Sequence, residues 1–244
     1  AGETQQAVIS GSVNLGIAAG VMGVLSAYSK GAPVRVISAE TTGARDLYWY
    51  VKSDSPIKSL KDTDGKGLAY STNGSSTHGI VTAFMKQYDL SCDDFLKTVV
   101  LPQGQFQALL QSSPGDRAPL LKNLLGLDQL DKKEIRIIAC GNDADVFKGQ
   151  TVRLNIANAD YLKANKDAVV RYMKAYRETL DCMYKDECLK IYADWLGIPL
   201  EKAKRTRDEF FPAAAVNPDK VIGLDTIVKD AVGLKFTATQ LTNE

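Results

Sequence analysis

Ser75, Ser76, Thr77 and His78, with Gly79 behind them, are the residues of this chain best placed to do chemistry. The first N–H groups of a helix have no internal partner and point outward. The helix dipole favours negative charge at the same place. Three consecutive hydroxyls there add donors, and Gly79 lets a ligand approach the backbone. The run therefore reads as an anion-binding helix start, and equally well as a serine-capped helix that holds nothing. His78 is the only histidine. A nucleophile-and-base pair needs a companion such as GxSxG, which is missing. A ligand contact, or a hydrogen bond that steadies the helix start, suits His78 better, and no catalytic residue is assigned.

The elements that must position this run are legible around it. Gly67–Tyr70 is a short apolar strand, and Ile80, Val81, Phe84, Met85 and Tyr88 share one helical face. Upstream, Val13–Ile17 reads as a strand, Ala18–Val21 as a small-residue turn, Met22–Ser29 as a helix stopped by Gly31, and Val34–Ser38 as a strand. That spacing predicts a crossover unit of a parallel sheet. Ligands bind such sheets at the carboxyl ends of the strands. Ala18–Val21 and Ala39–Gly43 are therefore candidate ligand loops, with Ala19, Gly20, Thr42 and Gly43 as contacts, each loop also readable as a tight connection. Leu47–Val51, Glu134–Ala139 and Thr151–Ile156 read as further strands. Phe106–Gln111 and Ala118–Leu127 look helical. Lys166–Met183 carries an apolar stripe at helical spacing, and Leu189–Leu196, Glu201–Phe211 and Pro218–Val232 follow as helices, the last announced by Asn217-Pro218. Glu40, Asp46 and Trp49 are further possible contacts for an amine or an anion. Asp143 and Asp145 read as a solvated loop.

Lys+Arg is 30 and Asp+Glu is 29, so bulk charge gives no reason to expect nucleic acid or an anionic membrane as partner. Cys92, Cys140, Cys182 and Cys188 are scattered without a CxxC pair, which argues against a zinc site, and neither a metal nor another cofactor is expected. Free thiols are the default, with one disulfide possible. Cys182 and Cys188 would not share a face of one continuous helix.

Four segments in this order resemble the substrate-binding proteins of bacterial ABC importers for nitrate, sulfonates and taurine. They are Gly2–Gly16, Ala32–Ile37, Tyr50–Lys61 and Gly74–His78. The resemblance covers about residues 1–97 and 128–244. It implies an α/β fold of the two-lobed periplasmic-binding-protein type (type II), with a small anion trapped in the cleft between the lobes. It also implies that the closed form, a monomer, docks on a membrane permease, in the periplasm or anchored outside the cytoplasm. It implies that Gly74–His78 lies at a helix start facing that cleft, so that Ser75, Ser76, Thr77 and His78 are the expected contacts from one lobe, with Ala19, Gly20, Thr42 and Gly43 of the strand-end loops expected to help from the other. The expected division is 1–45 in lobe 1, 46–160 in lobe 2, and 161–244 as helices covering mainly lobe 1.

The chain departs from that family in three ways. The family's opening strand and helix are not found, so the first lobe is expected to be truncated, the chain starting either after a removed leader or inside a domain. Asn14 stands where the family usually has Asp. Residues 98–128 resemble instead the glutamine-loop region of DNA-repair nuclease ATPases of the SbcC type, with Gln103 at the loop glutamine. A phosphate-binding loop, GxxxxGK[ST], occurs nowhere, so that resemblance carries no ATPase function. The sequence thus points to the solute-binding component of an importer for an organosulfonate, taurine-like or nitrate-like anion. The alternatives are a chimeric scaffold that binds nothing, and a thiamin-precursor enzyme on the same fold. The latter uses a cysteine-rich motif that this chain lacks.

Overall fold

The computed structural model of the protein describes residues 2–91, 94–96 and 135–242. The expected helices at 106–111 and 118–127, the apolar run at 98–101 and the segment around Gln103 lie outside the described residues.

Three strands form the central sheet, β1 (Leu15–Gly20), β2 (Val34–Thr42) and β7 (Thr151–Asn158), in the order β1-β7-β2. Helix α1 (Gly2–Ile9) precedes β1, and α2 (Val21–Ser29) connects β1 to β2. Both strands run antiparallel to β7 and hence parallel to each other. The crossover expected at 13–38 is present, but β7 is slotted between its strands. Spacing within a strand–helix–strand unit says nothing about where a strand much later in the chain will insert. Thr151–Asn158, counted by sequence with 46–160, is thereby hydrogen-bonded into the sheet of 1–45. β7 is buried along nearly its whole length, as a strand covered on both faces must be.

Two smaller ladders follow. β3 (Tyr48–Lys52) pairs antiparallel with β6 (Ile135–Cys140), and β4 (Leu68–Tyr70) pairs parallel with β5 (Asp94–Leu96) across helix α3 (Ser76–Tyr88). Trp49 joins the two ladders, its Nε1 donating to the Ala69 carbonyl at 2.8 Å. One apolar core runs through these parts, with Met22, Phe84, Phe147, Leu154 and Ile227 buried together. Beyond β7 come α4 (Ala159–Ala164), α5 (Lys166–Met183), α6 (Asp186–Leu196), α7 (Leu200–Phe210) and α8 (Leu224–Gly233).

Two local readings are corrected. β1 continues through Ala18 and Ala19 to Gly20, with a register shift between Gly16 and Ala19 and a positive φ of 61° at Ala18. Small residues read as a turn are a bulged strand end, because the strand's partner β7 lies far away in sequence. Asn217-Pro218 does not start a helix. Asn217 Oδ1 accepts from the Asp219 amide at 2.9 Å in a side-chain turn, and α8 begins only after Gly223, whose φ is 75°. Capping chemistry and turn chemistry use the same residues.

Cys182 and Cys188 form a disulfide. α5 ends at Met183 and α6 starts at Asp186, so the break at Tyr184-Lys185 supplies the bend that a continuous helix would deny. Among the described residues no helix is long and apolar enough to cross a membrane. No cluster of three His, Cys, Asp or Glu side chains there could hold a metal ion.

Candidate functional site

The two helix starts marked by sequence meet in the structure. α2 begins directly after Gly20, and α3 begins after the turn that leaves β4. A methyl group built on Gly20 would lie 2.6 Å from the Ser76 amide nitrogen and 2.7 Å from the Gly74 carbonyl oxygen. Gly23, one turn into α2, faces the same Gly74 carbonyl. Gln5 braces this junction from α1 by donating to the Gly23 carbonyl at 2.8 Å. Two glycines thus allow a backbone contact that any side chain would forbid.

The hydroxyls of the run are mostly used to hold its own shape. Ser75 Oγ accepts from the His78 amide at 3.1 Å as the helix cap. Thr77 Oγ1 accepts from the Ser71 amide at 3.0 Å and lies 3.0 Å from Ser75 Oγ. His78 Nδ1 accepts from the Gly74 amide at 3.0 Å, which puts the proton of the neutral ring on Nε2. The ring stacks on Tyr70 at 4.6 Å and meets the edge of Phe236 at 5.1 Å. His78 therefore braces the turn, as one of its two sequence readings had it.

Ser76 differs. It is 7% exposed, and its hydroxyl has no hydrogen-bond partner among the described residues. Beside it lie amides of the first turn of α3, which have no intrahelical acceptor. The start of α3, with this unused hydroxyl, thus lies against the start of α2, and a helix N-terminus favours negative charge.

A groove of about 860 Å³ runs alongside, lined by Gln5, Gly74 and His78 together with Lys30 and Lys235. Among the described residues no acidic side chain belongs to its walls. On the other side the space is closed. A methyl group on Gly79 would lie 3.1 Å from the Phe147 ring and 3.5 Å from Met22. Phe147 is 1% exposed. The signal for it in the sequence is slight, an aromatic inside a short loop of glycines and charged residues.

Thr42 and Gly43 are held elsewhere. The Gly43 amide donates to the Gln150 carbonyl at 2.9 Å, and the neighbouring Ala44 amide donates to Asn142 Oδ1 at 2.7 Å. No described hydrogen bond joins them to Ser75–His78. Asp46 is fully engaged, accepting from both guanidinium ends of Arg153 at 2.8 and 3.1 Å. Asp143 closes its own turn by accepting from the Cys140 amide at 2.7 Å. Glu40 keeps one buried oxygen without a partner among the described residues.

A family model described as NMT1/THI5 like matches residues 1–187. Among solved structures, the alkanesulfonate-binding protein SsuA of Xanthomonas axonopodis pv. citri, bound to MOPS, superposes with a TM-score of 0.66 at 20% identity. That match covers 98% of this chain and 82% of that one. The periplasmic aliphatic sulphonate binding protein SsuA of Escherichia coli gives 0.61 at 19% identity, over 99% and 77% of the two chains. A Candida albicans protein with the generic periplasmic-binding-protein fold gives 0.63 at 16% identity, over 100% and 79%. At these identities the likeness establishes the fold, the α/β periplasmic-binding-protein type. The SbcC component of the SbcCD nuclease of Deinococcus radiodurans is 31% identical over 121 residues, 49% of this chain. The chain spans only 13% of that protein's length.

Proposed function

The chain belongs to the NMT1/THI5-like family, and on that premise we propose that it is the solute-binding component of an ABC importer that captures a small organic anion, a sulfonate in the first instance. The observation that carries this reading is Ser76. A hydroxyl more than nine-tenths buried and without a partner is costly, and it sits where two helix N-termini converge. An anion with several oxygens would accept from the hydroxyl and from the surrounding amides together. Lys30, Lys235 and His78 would draw it in through a groove whose described walls carry no carboxylate.

In this structure Gly20 and Ser76 touch, so the anion enters only when the two helix starts part. Lobe closure on the ligand then restores a compact state. Ser75 and Thr77 would hold the shape of the cradle, Ser76 would bind, and Ala19-Gly20 would contribute backbone. Thr42-Gly43 would act as a pivot between β2 and the 141–150 loop. With β7 counted in the lobe of 1–45 and the remainder up to 160 in the other, the cleft would lie between α2 and α3. A membrane permease, and action as a monomer outside the cytoplasm, belong to the same reading. The Cys182–Cys188 disulfide is in keeping with an oxidising compartment.

Titration calorimetry with taurine, an alkanesulfonate and nitrate on the wild type and on Ser76→Ala tests the proposal. Saturable binding to the wild type that is lost in Ser76→Ala supports it. Absence of binding by all three anions overturns it, as does equal binding to the variant.

A further inference from the structure

A second cavity, of about 230 Å³, lies between the end of β2 and helices α5, α6 and α7. Its volume is on the order of eight waters. None of its lining residues belongs to the helix-start site. Leu180, Met183, Leu189 and Phe211 give it apolar walls, and Tyr176 and Tyr192 add aromatic ones.

Glu40 and Thr41 border it from β2. Glu40 Oε2 is screened from solvent and has no hydrogen-bond partner among the described residues, and neither has Thr41 Oγ1. Thr41 is 6% exposed. The cations nearby are already committed. Arg153 donates through both ends to Asp46. Arg207, which also lines the cavity, donates to Asp208 at 2.8 and 3.2 Å and lies over the Tyr184 ring at 5.6 Å. What remains is one oxygen of the Glu40 carboxyl without a donor, and a buried carboxylate oxygen needs a donor or a proton. Burial pushes its pKa up, against smaller opposing pulls from Arg153 and the Ala18 amide.

We propose that this cavity binds a small organic monocation, a primary ammonium on an apolar body, with Glu40 as its counter-charge and Thr41 Oγ1 as a second acceptor. The geometry selects that chemistry on three grounds. A neutral ligand leaves the carboxyl uncompensated. An anion meets Glu40 with no uncommitted cation beside it among the described residues. A hydrated metal ion finds apolar walls where it needs oxygen ligands. A primary ammonium supplies three donors, and tyrosine faces favour its charge.

The test is titration calorimetry with 2-phenylethylammonium and butylammonium, using 2-phenylethanol and 1-butanol as neutral partners of the same shape. Wild type should bind at least one ammonium saturably and neither alcohol. Glu40→Gln, with its fold checked by circular dichroism, should bind that ammonium about 30-fold more weakly or worse. Thr41→Val provides the second variant and should weaken it less. Ser76→Ala should leave ammonium binding unchanged, which separates this site from the anion site. Equal binding of alcohol and ammonium overturns the proposal. So does retained affinity in both Glu40→Gln and Thr41→Val, or no binding of either amine to wild type.

Discussion

The α-carbon of Gly20 sits so close to the amide of Ser76 that a single added methyl group would stand 2.6 Å from that nitrogen. The N-termini of α2 and α3 are in backbone contact there. The contact depends on glycine.

Gly20→Ala should therefore destabilise the protein by about 1–3 kcal/mol, since neither the Ser76 amide nor the Gly74 carbonyl can move without displacing a helix start. Gly149→Ala is the control, because a methyl group there meets nothing within 4 Å. It should stay within about 0.5 kcal/mol of wild type. Urea midpoints of the two variants decide the matter, and equal midpoints would refute the steric account.

Neighbouring serines should behave in opposite ways. Ser75→Ala removes the cap that accepts from the His78 amide and should cost about 1 kcal/mol. Ser76→Ala removes a buried hydroxyl without a partner and should leave stability unchanged or raise it by up to about 1 kcal/mol. Thermal unfolding without ligand reads both. A large loss in Ser76→Ala would mean that its hydroxyl is already satisfied.

Glu40 should make stability depend on pH. Its folded pKa lies above the ordinary value of 4.5 because of burial. Between the unfolded and folded values the native state keeps a proton that the unfolded chain has released, so stability falls as pH rises through that window. Glu40→Gln escapes this cost. It should melt higher than wild type near pH 7 or about pH 8, and the gap should close by about pH 4. A gap that does not change with pH would contradict the burial of the charged form.

Reduction of Cys182–Cys188 should loosen the corner between α5 and α6. The bridge closes a short loop, with a sequence separation of 6, and chain entropy assigns such a loop about 2 kcal/mol. Dithiothreitol and Cys182→Ser should lower the melting temperature by similar amounts. An effect of reductant that persists in Cys182→Ser would point to a different thiol.

Much of the fold could be read because it rests on local periodicity. The face shared by Ile80, Phe84 and Tyr88 predicted α3, and α5 was predicted at Lys166–Met183, the bounds it has. The helix start at Ser75–His78 was equally visible, since capping chemistry is a property of adjacent residues. Asn217-Pro218 shows the converse, where a local signal served two structures and the tertiary context chose the turn.

The sequence by itself determined most of the elements and the capping chemistry of one helix start, though not the end of β1 or the start of α8. Tertiary structure alone decided that β7 would separate β1 from β2, and that Gly20 would touch Ser76. It also decided that Phe147 would close the space beside Gly79 and that Glu40 would be buried without a donor to its second oxygen. Each of these joins residues far apart in the chain, or depends on what covers a residue from a distant helix. Local propensity acts over a turn or a strand, whereas contact and desolvation are set by whichever distant part of the chain arrives there.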